Sequence, residues 1–319
     1  MPLTPEAEAL MAMLLERSPG VGVRVLDAKE ARRIQRENPA APDPPPVGNV
    51  AELSIPGPPG SPAIAARVYT PLEAGTRPPL LVFFHGGGWV ICSLDTHDAM
   101  SRRLANGSGA IVVSVDYRLA PEDPFPAAIE DAYAAVTWVQ AHGAELGGDP
   151  EQVGVAGDSA GGNLAAVVPL MLRDRGGVQV ALQVLVYPVA DGRLDTLSYA
   201  EFAEGGGYVT RAEMEWFWQQ YVGHGDRTQP YASPLLADLD DLPPAIVVVA
   251  ECDPLRDEGT AYARKLADAG NEVAFSQYDG VYHGFFGMAT LLDEARRAND
   301  EVCTWVRQVF EEKVADGQA

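Results

Sequence analysis

Three reactive side chains stand far apart in this chain, each in a setting suited to acyl transfer. Ser159 is the centre of Gly157-Asp158-Ser159-Ala160-Gly161. The apolar run Val153-Gly154-Val155-Ala156 leads into it and reads as a buried strand; residues 162–168 read as the first turns of a helix. A G-x-S-x-G at a strand-to-helix turn is a nucleophile elbow, which lifts the serine clear of the backbone at the positive end of a helix. A hydroxyl is a poor nucleophile at neutral pH, so a base must take its proton during attack. His283, in Tyr282-His283-Gly284-Phe285, is the expected base. It follows an expected strand at 273–278 by a short loop, and imidazole titrates near the working pH. His97, His142 and His224 read as surface or satisfied core residues.

The base needs an acid to fix its tautomer and stabilise the imidazolium. Asp253 follows the apolar run 245–250 by three residues, and Pro254 suits a loop there. Asp257 and Glu258 are rivals, but they fall where the next helix begins, where acidic residues ordinarily favour the dipole. The tetrahedral transition state carries an oxyanion, and donors must already point at it. Ala160 N–H is the natural first donor. Gly86 and Gly87, in His85-Gly86-Gly87-Gly88-Trp89 directly after the apolar run 80–84, are the expected others. Glycine lets such a loop turn its amides toward a substrate with no Cβ in the way. His85 is expected to support the loop by hydrogen bonding, and Asp158 to brace the elbow.

The elements that must hold these residues follow from the pattern. Residues 5–16 and 27–37 read as helices, and the Pro-rich stretch 39–46 as an extended linker. Residues 51–55 and 64–69 read as a first, antiparallel pair of strands. Strands at 80–84, 110–116, 152–156, 182–187, 245–250 and 273–278 then alternate with helices near 97–106, 126–142, 160–173, 257–269 and 287–312. This alternation predicts an α/β fold with a mostly parallel, eight-stranded sheet covered by helices on both faces. The segment from 191 to about 224 breaks the rhythm, with a Gly205-Gly206-Gly207 hinge and an aromatic helix at 214–221. An insertion after a strand's C-terminal end stands above the active edge of such a sheet, so it reads as a lid. The expected organisation is 1–46 as an N-terminal part of a helical cap, 47–190 as the first part of a catalytic domain, 191–228 as a cap insertion, and 229–319 as the second part. Trp89, Tyr187, Phe202, Tyr208, Trp216 and Phe285 are candidate substrate-pocket residues, with core packing as the rival reading for each.

Composition narrows the functional classes. The net charge of −22 argues against DNA or RNA, whose binding rests on neutralising phosphates. No apolar run approaches the length of a membrane span. Cys92, Cys252 and Cys303 form neither a disulfide framework nor a metal-ligand spacing, and Cys252 reads as a small buried residue. The first residues are acidic and do not read as a signal peptide, so the cytoplasm is the expected compartment.

Taken together, five motifs resemble those of the hormone-sensitive-lipase-like family of bacterial carboxylesterases, within the α/β-hydrolase superfamily. They are His85-Gly86-Gly87-Gly88-Trp89, Asp116-Tyr117-Arg118-Leu119-Ala120-Pro121-Glu122, Gly157-Asp158-Ser159-Ala160-Gly161-Gly162, Asp253-Pro254-Leu255-Arg256-Asp257-Glu258-Gly259 and His283-Gly284-Phe285. The resemblance spans residues 80–290 and the order Ser, Asp, His. It implies a triad of Ser159, Asp253 and His283, an oxyanion hole from Gly86, Gly87 and Ala160, a helical cap, no cofactor and no metal, short acyl chains, and a homodimer. Amide, lactone or thioester hydrolysis by the same machinery, or a receptor role, are the alternative functions that the motifs leave open. A lipase acting on oil droplets fits less well, because Glu201, Glu204, Arg211, Glu213 and Glu215 interrupt the aromatic surface of the lid.

Overall fold

The computed structural model describes residues 3–17, 27–37, 44–202 and 209–317. Eight strands form one sheet: β1 (Asn49–Ile55), β2 (Ile64–Thr70), β3 (Leu80–Phe84), β4 (Ile111–Asp116), β5 (Val153–Asp158), β6 (Gln183–Val186), β7 (Ala245–Cys252) and β8 (Val273–Tyr282). Their order is β1-β2-β4-β3-β5-β6-β7-β8. Strand β2 pairs antiparallel with β1 and β4, and every other pairing is parallel. Strands β3, β5, β6 and β7 are buried along their whole length, which is why they read as unbroken apolar runs. Strand β1, at one edge, is largely exposed.

Helices α4 (Ala127–His142), α5 (Ala160–Asp174) and α8 (Arg256–Asp268) bury their apolar faces in one core; α3 (Asp98–Ser108) and α9 (Asp293–Gly317) do so in a second core. The two N-terminal helices divide between these cores. Ala7, Leu10 and Met11 of α1 (Pro5–Arg17) join the core of α3 and α9, whereas Ala28 and Ala31 of α2 (Ala28–Glu37) join the other. The expected lid segment holds a short helix, α6 (Leu197–Glu201), and the aromatic helix α7 (Arg211–Tyr221). Helix α7 starts with a reciprocal capping box, Thr210 Oγ1 accepting the Glu213 N–H and the Glu213 carboxylate accepting the Thr210 N–H. The Gly205–207 hinge and residues 39–43 of the Pro-rich stretch lie outside the described residues.

Strand order and register assemble the site. The chain leaves β3 toward β4 on one side and comes back to β5 on the other, so a crevice opens at the C-terminal ends of β3 and β5. Phe84 is paired with Gly157, which brings the loop after β3 level with the turn after β5. One difference from the sequence pattern lies at β8. The stretch expected as a loop, 279–282, continues the strand, and His283 follows its last residue directly. A register shift between Ala250 and Cys252 absorbs the irregularity, and the Glu251 carboxylate accepts the Gly280 N–H at 2.7 Å. Periodicity cannot reveal such a bulge, because the compensating contact comes from the neighbouring strand.

Glu258, in the first turn of α8, is fully buried and its Oε1 accepts the Ala190 N–H at 2.8 Å, holding the chain as it leaves β6. Burial pushes its carboxyl well above the ordinary 4.5, with the charge of Asp191 adding to the effect. A raised acid binds more protons folded than unfolded, so its contribution to stability is present at low pH and is lost as pH rises above that ordinary value. Glu258→Gln keeps the acceptor and cannot ionise. Urea unfolding at pH 5 and pH 8 should show the difference between variant and wild type moving in the variant's favour by at least about 1 kcal/mol as pH rises. A difference independent of pH would mean that Glu258 is buried as the anion.

Candidate active site

Ser159 sits between the last residue of β5 and the first of α5, at φ 56° and ψ −118°. Non-glycine residues rarely adopt positive φ, and here the neighbours over-determine it. The Ser159 N–H donates to Val186 C=O at 2.9 Å, and its C=O accepts the Asn163 and Val189 N–H groups at 3.0 and 3.2 Å. The turn closes so tightly that a Cβ on Gly161 would stand 1.9 Å from Phe84 O, and one on Gly157 would stand 2.2 Å from Gly161 O. These two approaches are why the elbow needs glycine on both sides of the serine.

Asp253 lies just past β7 and His283 just past β8. His283 Nδ1 is 2.7 Å from Asp253 Oδ2, and His283 Nε2 is 2.9 Å from Ser159 Oγ. A carboxylate can only accept, so Nδ1–H donates to Asp253 and leaves Nε2 to accept the serine O–H. The other oxygen of Asp253 accepts the Leu255 N–H at 2.9 Å, which locks its rotamer. All three residues are buried, with the serine 7% exposed. The rival acids serve other contacts. Asp257 accepts the Ser198 N–H of α6 at 2.8 Å, and Glu258 faces the chain after β6.

The loop after β3 is oriented from beneath. A trans peptide is planar, so fixing a C=O fixes the direction of the following N–H. His85 Nδ1 bonds to Gly86 C=O at 2.7 Å, which sets the Gly87 N–H. The Gly87 C=O accepts the Val90 and Ile91 N–H groups at 3.1 and 3.0 Å, which sets the Gly88 N–H. Burial, helped by nearby His97, pushes the His85 imidazole down to about 3, so His85 is neutral and a structural donor. Its ring stacks on Tyr117 at 4.4 Å, and the Tyr117 O–H donates to His85 C=O at 2.7 Å.

The Gly86 N–H, expected to face a substrate, turns inward. It donates to Asp158 Oδ1 at 2.9 Å and is therefore spent inside the protein. The reason is that Asp158 is a buried carboxylate in need of donors. It takes the second from His97 Nε2 at 3.2 Å. Burial alone would raise the Asp158 carboxyl, but His97, His85 and His283 together hold it below its usual range. His97, read from the sequence as a surface or core residue, is thus part of the support under this loop. A glycine pattern cannot show which amide is consumed internally. Among the described residues, the Gly87, Gly88 and Ala160 N–H groups have no protein acceptor.

The expected pocket residues separate into groups. Trp89 is wholly buried, stacked on Tyr221 of α7 at 4.1 Å and tilted against Trp218 at 4.9 Å. Phe285 is also wholly buried, edge-on to Tyr187. Neither has surface to offer an open pocket, because each ring is consumed by aromatic neighbours that sequence spacing does not reveal. Tyr187 lies against the His283 ring at 4.5 Å and has 1% of its surface exposed. Phe202 and Trp216 are half-buried, Phe202 with the Arg256 guanidinium 5.4 Å from its ring. Tyr208 lies outside the described residues.

A family profile described as the alpha/beta hydrolase fold matches residues 81–287. The carboxylic ester hydrolase LipN of Mycobacterium tuberculosis is 45% identical over 81% of this chain and 70% of its own. The chain belongs to the hormone-sensitive-lipase-like α/β-hydrolase family. The carboxylesterase NlhH of the same organism is 40% identical over 92% of this chain and 93% of its own. An ester hydrolase from the metagenome of Lake Arreo superposes with a TM-score of 0.90 at 41% identity, covering 97% of this chain and 99% of that one. On these relatives, this member of the family is a carboxylic ester hydrolase.

If Asp253 is the acid, Asp253→Asn should lower kcat by about 10⁴-fold, because an amide no longer holds the imidazole in the required tautomer. Asp257→Asn should cost far less, since that side chain docks α6. Steady-state kinetics on one ester compare the two, and equal losses would remove Asp253 from the role.

Proposed function

We propose that Ser159, His283 and Asp253 are the catalytic triad of a carboxylesterase for short- to medium-chain acyl esters. The observation that carries this reading is the hydrogen-bonded sequence Ser159 Oγ, His283, Asp253, with its separations of 2.9 and 2.7 Å. Ser159 Oγ attacks the ester carbonyl as His283 Nε2 accepts its proton. Asp253 stabilises the imidazolium without being protonated. The negative charge moves to the carbonyl oxygen, where the amides of Gly87 and Ala160 receive it. Gly88 N–H is the candidate for the place that Gly86 vacates. Collapse breaks the ester C–O bond, His283 returns its proton to the departing alcohol, and an acyl-serine remains. Water then attacks with His283 again as base, and the carboxylic acid leaves. No step calls for a cofactor.

The segments 1–46 and 191–228 serve as a cap that limits acyl length. Two observations favour this. Helix α7 rests directly on the loop after β3, where a Cβ on Gly88 would fall 2.1 Å from the Phe217 ring. Phe202 and Trp216, both in the insertion, retain accessible surface. Charged Glu201, Arg211, Glu213 and Glu215 among these aromatics suit dissolved esters rather than an oil surface. We further propose a homodimer in the cytoplasm. Strand β8 is a sheet edge on which Phe275 is 43% exposed, and none of the three cysteines is in a disulfide. Among the described residues, no helix is long and apolar enough to cross a membrane.

Hydrolysis of p-nitrophenyl esters from acetate to palmitate tests the reading. Rates should peak between butyrate and octanoate and disappear in Ser159→Ala, whose circular dichroism should match wild type. Wild-type turnover in that variant would remove Ser159 as nucleophile. Activity confined to amides, lactones or thioesters would move the assignment to those substrates.

A further inference from the structure

The N-terminal helix α2 sends one side chain into the active-site scaffold. Arg32, 18% exposed, donates from Nε to Val90 C=O at 2.6 Å and from Nη2 to Ala120 C=O at 2.7 Å. The same Nη2 is 2.8 Å from Glu122 Oε2. Val90 belongs to the turn that closes on the Gly87 carbonyl, and Ala120 lies in the loop after β4. The two loops are also joined directly, Ala120 N–H donating to Trp89 C=O at 2.9 Å.

Peptide planarity turns these contacts into a chain of orientation. Arg32 holds the Val90 C=O, and the N–H at the other end of that peptide, Ile91 N–H, donates to Gly87 C=O. The Gly87 C=O in turn shares its plane with Gly88 N–H. A guanidinium suits this task, since its donors are fixed in one plane and reach two carbonyls at once. The same loop packs against Phe217 of α7, so Arg32 adds a polar contact to an apolar one.

We propose that Arg32 is a positioning residue for the oxyanion hole, setting the Gly87–Gly88 peptide through the Val90–Ile91 peptide. The inference rests on the oxyanion-hole reading given above. It assigns the N-terminal helix a part in transition-state stabilisation in addition to any part in shaping the pocket. The charge on the carbonyl oxygen exists only after attack, so loosening these amides weakens the transition state more than the bound ester. Loss of Arg32 therefore acts on kcat and leaves KM nearly unchanged.

Arg32→Ala and Arg32→Lys, measured beside wild type on p-nitrophenyl butyrate, test this. The kcat is referred to sites counted by titration with a fluorophosphonate, so that unfolded protein does not enter. Arg32→Ala should lose about 10- to 100-fold in kcat per titrated site, the scale expected for displaced catalytic groups, with KM little changed. Millimolar guanidinium should restore part of that loss, and Arg32→Lys should fall between the two. An unchanged kcat per titrated site would overturn the proposal, showing that any activity deficit came from lost stability. A rise in KM at constant kcat would overturn it as well, placing Arg32 in the pocket wall only. An inactive wild type would instead count against the esterase reading, which keeps the two failures apart.

Discussion

A serine at φ 56° is sustained here by the absence of two side chains. Gly157 and Gly161 allow strand β5, helix α5 and the end of β3 to approach to distances that no Cβ would permit. That approach puts Ser159 beside the loop after β3. It also puts Ser159 N–H and C=O into bonds with the chain around β6, so the strain is held by backbone on both sides. Other parts of the site are placed relative to this turn. Asp253 and His283 follow neighbouring strands of the same sheet, β7 and β8, and meet at hydrogen-bonding distance of one another and of the serine.

Beside Ser159, His283 and Asp253 lies a second set of polar residues that orient the backbone. His85, His97, Asp158 and Tyr117 are all close together, yet none touches the serine Oγ. They fix carbonyls and amides, and planar peptides carry that orientation to the N–H groups of the loop after β3. Protonation follows from burial and from neighbours. Burial pushes the His85 imidazole down and the Glu258 carboxyl up, while the surrounding histidines hold the Asp158 carboxyl low. The same chemical groups thus serve as donor, acceptor or acid according to what surrounds them.

The segment outside the sheet is tied to this underlay in several places. Phe217 and Tyr221 of α7 pack on Gly88 and Trp89, and α6 meets the loop after β7 through Ser198 Oγ, which donates to Pro254 C=O at 2.6 Å. Contacts of this kind join α6 and α7 to the loops after β7 and β3.

Much of this was legible in the chain. Unbroken apolar runs marked the buried parallel strands, and glycines beside Ser159 marked the elbow, because burial and steric crowding act on residue type directly. Order along the chain was enough to propose Ser159, Asp253 and His283. Directions were not legible. That Gly86 N–H turns inward to Asp158, that Trp89 and Phe285 are consumed by neighbouring rings, and that Arg32 reaches Val90 all depend on partners dozens of residues away. The sequence by itself determined which groups are available for the chemistry. Only the tertiary structure decided which way each amide and ring faces, because that is set by long-range hydrogen bonds and packing that leave no local pattern.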